Sequence, residues 1–281
     1  MLRHSSVFWS INSSVSSVAH FAANVAIAAI IAVPAIAMAE TAEEKGLAIA
    51  HEADRRGEGF TDLESTMRMV LISKRGEKSE RELRVKTLEG QGEGEGDKGL
   101  TIFDTPADVR GTALLTWSYK DKDDDQWLYL PALRRVKTIS SRNQSGSFMG
   151  SEFAFEDMRA QEVEKYTYKF LREEACGELT CFVSERVPTD KYSGYTRQEV
   201  WMDTVEYRVQ KVDYYDRKKS LLKTLTMTDY AQYKDKFWRP SLMLMINHQT
   251  GKSTELHWND YKFSTGLKES DFSQNSLMRA R

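Results

Sequence analysis

The spacing of apolar positions changes period once along the chain. Thr41-Ala42-Glu43-Glu44 is a capping box, with Thr41 as N-cap and Glu44 at the third helical position. Ala42, Gly46, Ile49, Ala50 and Ala53 then recur at helical spacing, and Arg55 and Arg56 complement the helix dipole before Gly57 stops it. One amphipathic helix is predicted there. From Leu63 the period becomes two. Met67-Arg68-Met69-Val70-Leu71 runs into the turn Lys74-Arg75-Gly76-Glu77, and Arg81-Glu82-Leu83-Arg84-Val85-Lys86 returns as a hairpin. Ala113, Leu115, Trp117 and Tyr119 alternate with Thr112, Thr116 and Ser118, the clearest half-buried strand in the chain.

Further strands are predicted over residues 127–130, 135–140, 166–171, 181–186, 195–202, 208–215, 221–227, 242–247 and 254–261. Turn residues such as Asp216-Arg217-Lys218-Lys219 and Gln249-Thr250-Gly251-Lys252 separate them. Many short strands joined by tight turns make an antiparallel meander. A second helix is expected between Phe148 and Glu164, containing residues 152–160. The Gly-rich stretch 90–99 reads as a mobile acidic loop; it lacks the G-x-G-x-x-G spacing, and its carboxylates would repel a phosphate.

Several strands are apolar on both faces: Leu242, Leu244 and Ile246 alternate with Met243 and Met245. Such a sheet packs one face on helices and the other on a second layer or a greasy ligand. Eleven methionines would give that surface an adaptable lining. Ordinary core packing accounts for the same pattern.

The first 39 residues distort the composition. They carry one formal charge, Arg3, and hold an apolar run from Val25 to Ala39 that is broken only by Pro34 and ends Ala37-Met38-Ala39 before Glu40. That is a signal-peptide pattern with an A-x-A cleavage site, shorter than the ~20 residues of a membrane span. An uncleaved anchor starting near Val18 is the alternative, against which His20, Asn24 and Pro34 count. The expectation is a signal peptide over 1–39 and one exported domain over 40–281. The 242 residues after the leader carry 39 basic and 42 acidic side chains, a formal charge of −3. This mixed balance excludes a dedicated nucleic-acid binder, which needs a concentrated basic surface. With 29% charged and 11% aromatic residues, the chain is neither a polytopic membrane protein nor disordered.

Cys176 and Cys181 are the only cysteines. An even pair in an exported chain reads as a disulfide, here stapling a hairpin turn; a tetrahedral metal site would need a second Cys or His pair nearby. Other candidate chemistry falls away on spacing. Asp121-Lys122-Asp123-Asp124-Asp125 fails as a calcium loop because Gln126 stands where glycine is needed and Ala132 where glutamate is needed. Gly251-Lys252-Ser253 lacks the first P-loop glycine, whose place Ile246 takes. His248, Glu255 and His257 share a hairpin without a third ligand at a sensible spacing, and no nucleophile elbow is present. No catalytic residue, metal or cofactor is expected. The basic cluster Arg134, Arg135, Lys137 and Arg142 follows an apolar strand. It suits an anionic head group or an acidic partner, and equally the charged protection of a sheet edge.

Three blocks carry a resemblance. Asp124-Asp125-Gln126-Trp127-Leu128-Tyr129-Leu130-Pro131-Ala132-Leu133-Arg134-Arg135-Val136, Ser147-Phe148-Met149-Gly150-Ser151-Glu152-Phe153-Ala154-Phe155-Glu156-Asp157 and Asn247-His248-Gln249-Thr250-Gly251-Lys252-Ser253 resemble the outer-membrane lipoprotein-sorting family, relatives of the periplasmic carrier LolA. The resemblance runs from about Gly46 to Phe272. It implies a mainly β fold with a few helices: an incomplete, strongly curved antiparallel β-barrel with helices covering the concave face. It further implies a non-enzymatic periplasmic carrier of lipid or lipoprotein acyl chains toward the outer membrane. An exporter of the resistance-nodulation-division (RND) type and an outer-membrane acceptor are the implied partners. The alternative is an accessory protein that docks on such an exporter. On this reading Met69, Ala113, Leu115, Trp117, Tyr119, Leu128, Leu130, Val200 and Met202 face one concave apolar space, with residues 90–99 and 141–151 as its moving parts. The sides follow from alternation, and a slip of one residue inverts a strand.

Overall fold

A computed structural model of the chain describes residues 39–279; the expected leader lies, but for its last residue, outside them. Helix α1 (Ala42–Gly57) starts as predicted: the Glu44 N–H donates to Thr41 Oγ1 at 3.1 Å, and the Thr41 N–H donates to Glu44 Oε2 at 2.8 Å. Thirteen strands follow: β1 (Asp62–Ile72), β2 (Lys78–Leu88), β3 (Glu95–Thr105), β4 (Ala113–Tyr119), β5 (Asp125–Leu130), β6 (Arg135–Ile139), β7 (Tyr166–Cys176), β8 (Leu179–Pro188), β9 (Tyr195–Asp203), β10 (Val209–Asp216), β11 (Leu221–Tyr233), β12 (Phe237–Asn247) and β13 (Ser253–Phe263). A short helix α2 (Gln274–Arg279) ends the described chain.

The strands form one antiparallel sheet in the order β6-β5-β4-β3-β2-β1-β13-β12-β11-β10-β9-β8-β7. Neighbours in sequence pair as hairpins, except that β6 and β7 do not pair, and the first and last strands meet in the middle, with Met69 opposite Leu256. The two free edges are therefore β6 and β7, which are consecutive in sequence. The chain between them, residues 140–165, has to pass from one edge to the other.

Laid flat, thirteen strands would span roughly 55–60 Å. Yet Met69, Leu83, Leu128, Val200, Val212 and Leu225, drawn from β1, β2, β5, β9, β10 and β11, belong to one buried cluster. Only a strongly curved sheet brings them together, and it does so without closing, as the resemblance implied. Gly46 lets α1 settle on the β7 edge: a Cβ there would come within 2.7 Å of the Phe170 backbone nitrogen.

The crossing segment corrects two expectations. Residues 152–160 do not form a helix; a single 3-10 turn, Phe155–Met158, is all that forms. Its backbone donors are taken elsewhere: Ala154 N–H by Asp157 Oδ2 (2.7 Å), Phe155 N–H by Gly146 O (3.0 Å) and Glu156 N–H by Gln144 O (2.8 Å). Residues 141–151 are anchored at Gln144, Phe148 and Ser151, which are buried, with Phe148 in the main core against Phe103 and Phe155. The Gly-rich stretch differs as well, because β3 begins inside it at Glu95 and only residues 90–94 remain as a loop. A strand this rich in glycine persists because β2 and β4 pair it on both sides.

The convex face of β3 and β4 is covered too. Phe272 and Leu277, from the C-terminal segment and α2, are fully buried against Leu100, Ile102, Ala113 and Leu115. The Trp117 Nε1–H donates to Phe272 O at 2.8 Å, tying the segment down. At the other end of the described sheet, Cys176 and Cys181 form the expected disulfide across the β7–β8 turn, their Cα atoms 5.9 Å apart.

Candidate functional site

Between the concave sheet face, α1 and the last part of the crossing segment lies a cavity of about 690 Å³. That size suits a small apolar ligand. Helix α1 offers its small residues: Gly46, Ala50, Ala53 and Gly57 line one wall with Ile49. Val200, Met202, Val212, Leu225, Met227 and Met243 form the opposite, sheet-borne wall. These side chains share a face because the register places them so: Val212 is opposite both Val200 and Leu225, and Met227 is opposite Met243.

The crossing segment roofs the cavity and is pinned by buried polar contacts. Asp157 accepts from Lys223 Nζ at 2.6 Å and from the Tyr195 hydroxyl at 2.8 Å, and Lys223 also donates to Glu152 O. Glu156 accepts from Ser193 Oγ (2.7 Å) and the Gly194 N–H (2.8 Å). Arg159 and Lys165 both pair with the buried Asp124.

Polar groups gather at one part of the cavity. Glu162 lies over Gly96, where a Cβ would collide with its carboxylate, and accepts the Asp97 N–H at 3.3 Å. Burial pushes Glu162 up to about 7, helped by the nearby charge of Asp97. Burial likewise pushes Asp97 up to about 6, although the Gly90 N–H donates to it and works the other way. Arg239 projects from β12 into the same cavity above the rings of Phe60, Phe237 and Phe263, 5.6–5.9 Å from their centroids. On β8, the buried Ser184 hydroxyl also lines the cavity and has no hydrogen-bond partner among the described residues.

The residues expected to face the concave space divide. Val200 and Met202 line the cavity. Met69 and Leu128 lie on the concave side but are sealed in the core, with Leu130 packed against them. Ala113, Leu115 and Trp117 correct the reading of β4: they point to the convex face, under Phe272 and Leu277. Tyr119 shares their parity, its hydroxyl bonded to Asp125 at 3.2 Å. The cavity is met instead by the polar row of β4, Thr116 and Ser118. Alternation located the strand correctly, but the more apolar row is the one under the C-terminal segment.

Arg134, Arg135, Lys137 and Arg142 are exposed along the β6 edge and its flanks, and none lines the cavity. Their placement fits charged protection of the sheet edge and keeps them away from any head group held in this cavity. His257 pairs with Glu255 while His248 pairs with Thr224, so the three side chains are not gathered at one point. Sequence reasoning missed Asp97, Glu162 and Arg239, and it read the small face of α1 without assigning it to a cavity wall. Arg239 was readable in principle, since it shares the parity of Phe237, Met243 and Met245 on β12.

Comparison with known proteins places this architecture. A family model described only as an uncharacterized protein matches residues 95–279. A search of curated proteins gave no match. The chain is similar to the crystal structure of an outer membrane lipoprotein-sorting protein domain from Vibrio parahaemolyticus, at 56% identity and a TM-score of 0.82 over 84% of this chain and 100% of that one. It is similar to a DUF1329 family protein from Desulfovibrio piger, at 29% identity and a TM-score of 0.80 over 84% of this chain and 99% of the other. A LolA superfamily protein from Nitrosomonas europaea shares the fold, with a TM-score of 0.66 at 20% identity over 85% of this chain and 100% of that one.

Proposed function

This chain belongs to the outer-membrane lipoprotein-sorting, LolA-like family, and from that premise we propose that it is a periplasmic, non-enzymatic carrier of lipid or lipoprotein acyl chains. The observation that carries the reading is the cavity itself, walled by methionine, leucine and valine on the sheet and by the small face of α1. An acyl chain crossing water loses about 0.8 kcal/mol for each CH₂ left exposed, so a soluble carrier has to supply equivalent apolar burial. The methionines Met202, Met227 and Met243 suit chains of varied length and unsaturation. Export of residues 40–281 after removal of the leader fits the Cys176–Cys181 bridge, which needs an oxidising compartment.

Two measurements test the reading. Mass spectrometry of organic extracts from gently purified protein should find co-purified lipid, and an acyl chain should displace a fluorescent fatty-acid probe from the cavity. Protein that yields no lipid and takes up no probe, yet binds an RND-type exporter, would instead be an accessory docking protein.

A further inference from the structure

The cavity has an apolar part and a charged part, and the charged part is unusual in what it lacks. Arg239 lines the cavity, yet no carboxylate approaches its guanidinium within 4.0 Å among the described residues. Its one hydrogen bond is to the Trp238 carbonyl at 2.9 Å, which leaves most of its five donors free. Asp97, Glu162 and Asp54 line the same cavity and likewise pair with no cation at that distance among the described residues. Asp97 and Glu89 act electrostatically on Arg239 without touching it. A guanidinium and several carboxyl groups therefore share one cavity, each partly withdrawn from water, without closing on each other. The aromatic rings beneath Arg239 offset part of its burial, but neither set has a counter-ion among the described residues, which is costly. The Ser184 hydroxyl, more than nine-tenths buried and without a partner, adds an unsatisfied polar group to the same cavity.

A ligand carrying both signs of charge in one head group would satisfy the two sets together. Guanidinium suits phosphate, which its planar fork contacts through two parallel N–H bonds. Carboxylates suit an ammonium with its three donors. Resting on the carrier reading above and narrowing its cargo, we propose that the cavity selects a zwitterionic phospholipid of the phosphoethanolamine class. Its phosphate lies at Arg239, its amine at Asp97 and its neighbouring carboxylates, and its chain along Met227, Met243 and Leu225.

The test measures binding of three single-chain lipids with the same acyl group to the purified full chain. These are lysophosphatidylethanolamine (phosphate and amine), lysophosphatidylglycerol (phosphate only) and monoacylglycerol (uncharged). Wild type should bind the first most tightly, about tenfold or more above the uncharged lipid, as expected for a charge-assisted hydrogen-bonded contact. Arg239→Met should bring both phospholipids down to the level of monoacylglycerol. Asp97→Asn, close to isosteric, should erase the preference for the amine while keeping the preference for phosphate. If Arg239→Met fails to fold, the wild-type ranking and Asp97→Asn still decide the matter. Equal binding of all three lipids, or tighter binding of the glycerol head group, overturns the head-group assignment while acyl carriage stands. Binding of none of them removes the carrier reading itself.

Discussion

Lys223 Nζ on β11 lies 2.6 Å from Asp157 Oδ2 in the crossing segment, and both side chains are almost wholly withdrawn from solvent. The same ammonium donates to Glu152 O, and the same carboxylate receives the Tyr195 hydroxyl and the Ala154 N–H. One ion pair thus joins the segment that spans the open sheet to a strand on its far side. It helps explain why residues 152–160 stay extended and turned rather than helical.

Removing either partner leaves the other charge buried alone. Lys223→Met or Asp157→Ala should therefore cost about 3–5 kcal/mol, read as a fall in the urea midpoint. The double variant should lose less than the sum of the two single losses, because the stranded charge is gone. Strict additivity would mean that the pair does not act as a unit.

The two faces of β4 and β9 should respond differently. Leu115 is fully buried beneath Phe272 and Leu277, away from the cavity, so Leu115→Ala should cost about 2–5 kcal/mol while leaving acyl-probe affinity of the folded protein unchanged. Met202 is half-buried and lines the cavity. Met202→Glu should weaken probe uptake by an order of magnitude or more, since a bound chain would have to desolvate the new charge, with a much smaller effect on the melting temperature. A weaker probe affinity in folded Leu115→Ala would place the ligand on the convex side.

These expectations differ from what alternation alone gave, and the difference is physical. Period-two patterning located nearly every strand because turns such as Asp216-Arg217-Lys218-Lys219 bound them, and the α1 cap was readable from four residues. Alternation does not say which face is concave. β4 is apolar toward the C-terminal segment and lined by Thr116 and Ser118 toward the cavity, so the usual rule of apolar inward assigned it the wrong way round. β3 escaped notice because its first half, Glu95-Gly96-Asp97-Lys98-Gly99, has the composition of a loop; its extended form comes from hairpin pairing with β2 and β4 on its two sides, which composition does not show. The charged part of the cavity was hidden because Asp97, Glu162 and Arg239 lie far apart in sequence and reach one cavity only through the fold.

The disulfide closes a short loop and should matter accordingly. Chain-entropy arguments give about 2 kcal/mol for a loop of this size. Replacing Cys176 and Cys181 together by serine should lower stability by that amount, and the β7–β8 hairpin keeps its pairing from Tyr166↔Pro188 to Cys176↔Leu179 to hold the fold. Global unfolding of the double variant would show that the bridge organises more than its own turn.

Stability should fall as pH rises through neutrality, with Glu162 as the main cause. Its carboxyl is pushed by burial, and then by Asp97, from an ordinary 4.5 up to about 7. Between those values the folded protein binds a proton that the unfolded chain releases, so the contribution is complete below pH 4.5 and is lost as pH passes about 7. Asp97, raised to about 6 by burial, adds a slope of the same sign over a lower window. Groups held low, such as Glu52 at about 2, titrate beneath this range and do not oppose it. The combined loss should be on the order of 1–3 kcal/mol between pH 5 and 8. Glu162→Gln should remove most of it. Gly96→Ala offers a second route, since the new methyl occupies the place of the Glu162 carboxylate and turns it toward solvent, where its affinity for the proton falls back. Denaturant midpoints measured across that pH range for wild type and both variants decide the point: parallel slopes in all three would exonerate Glu162.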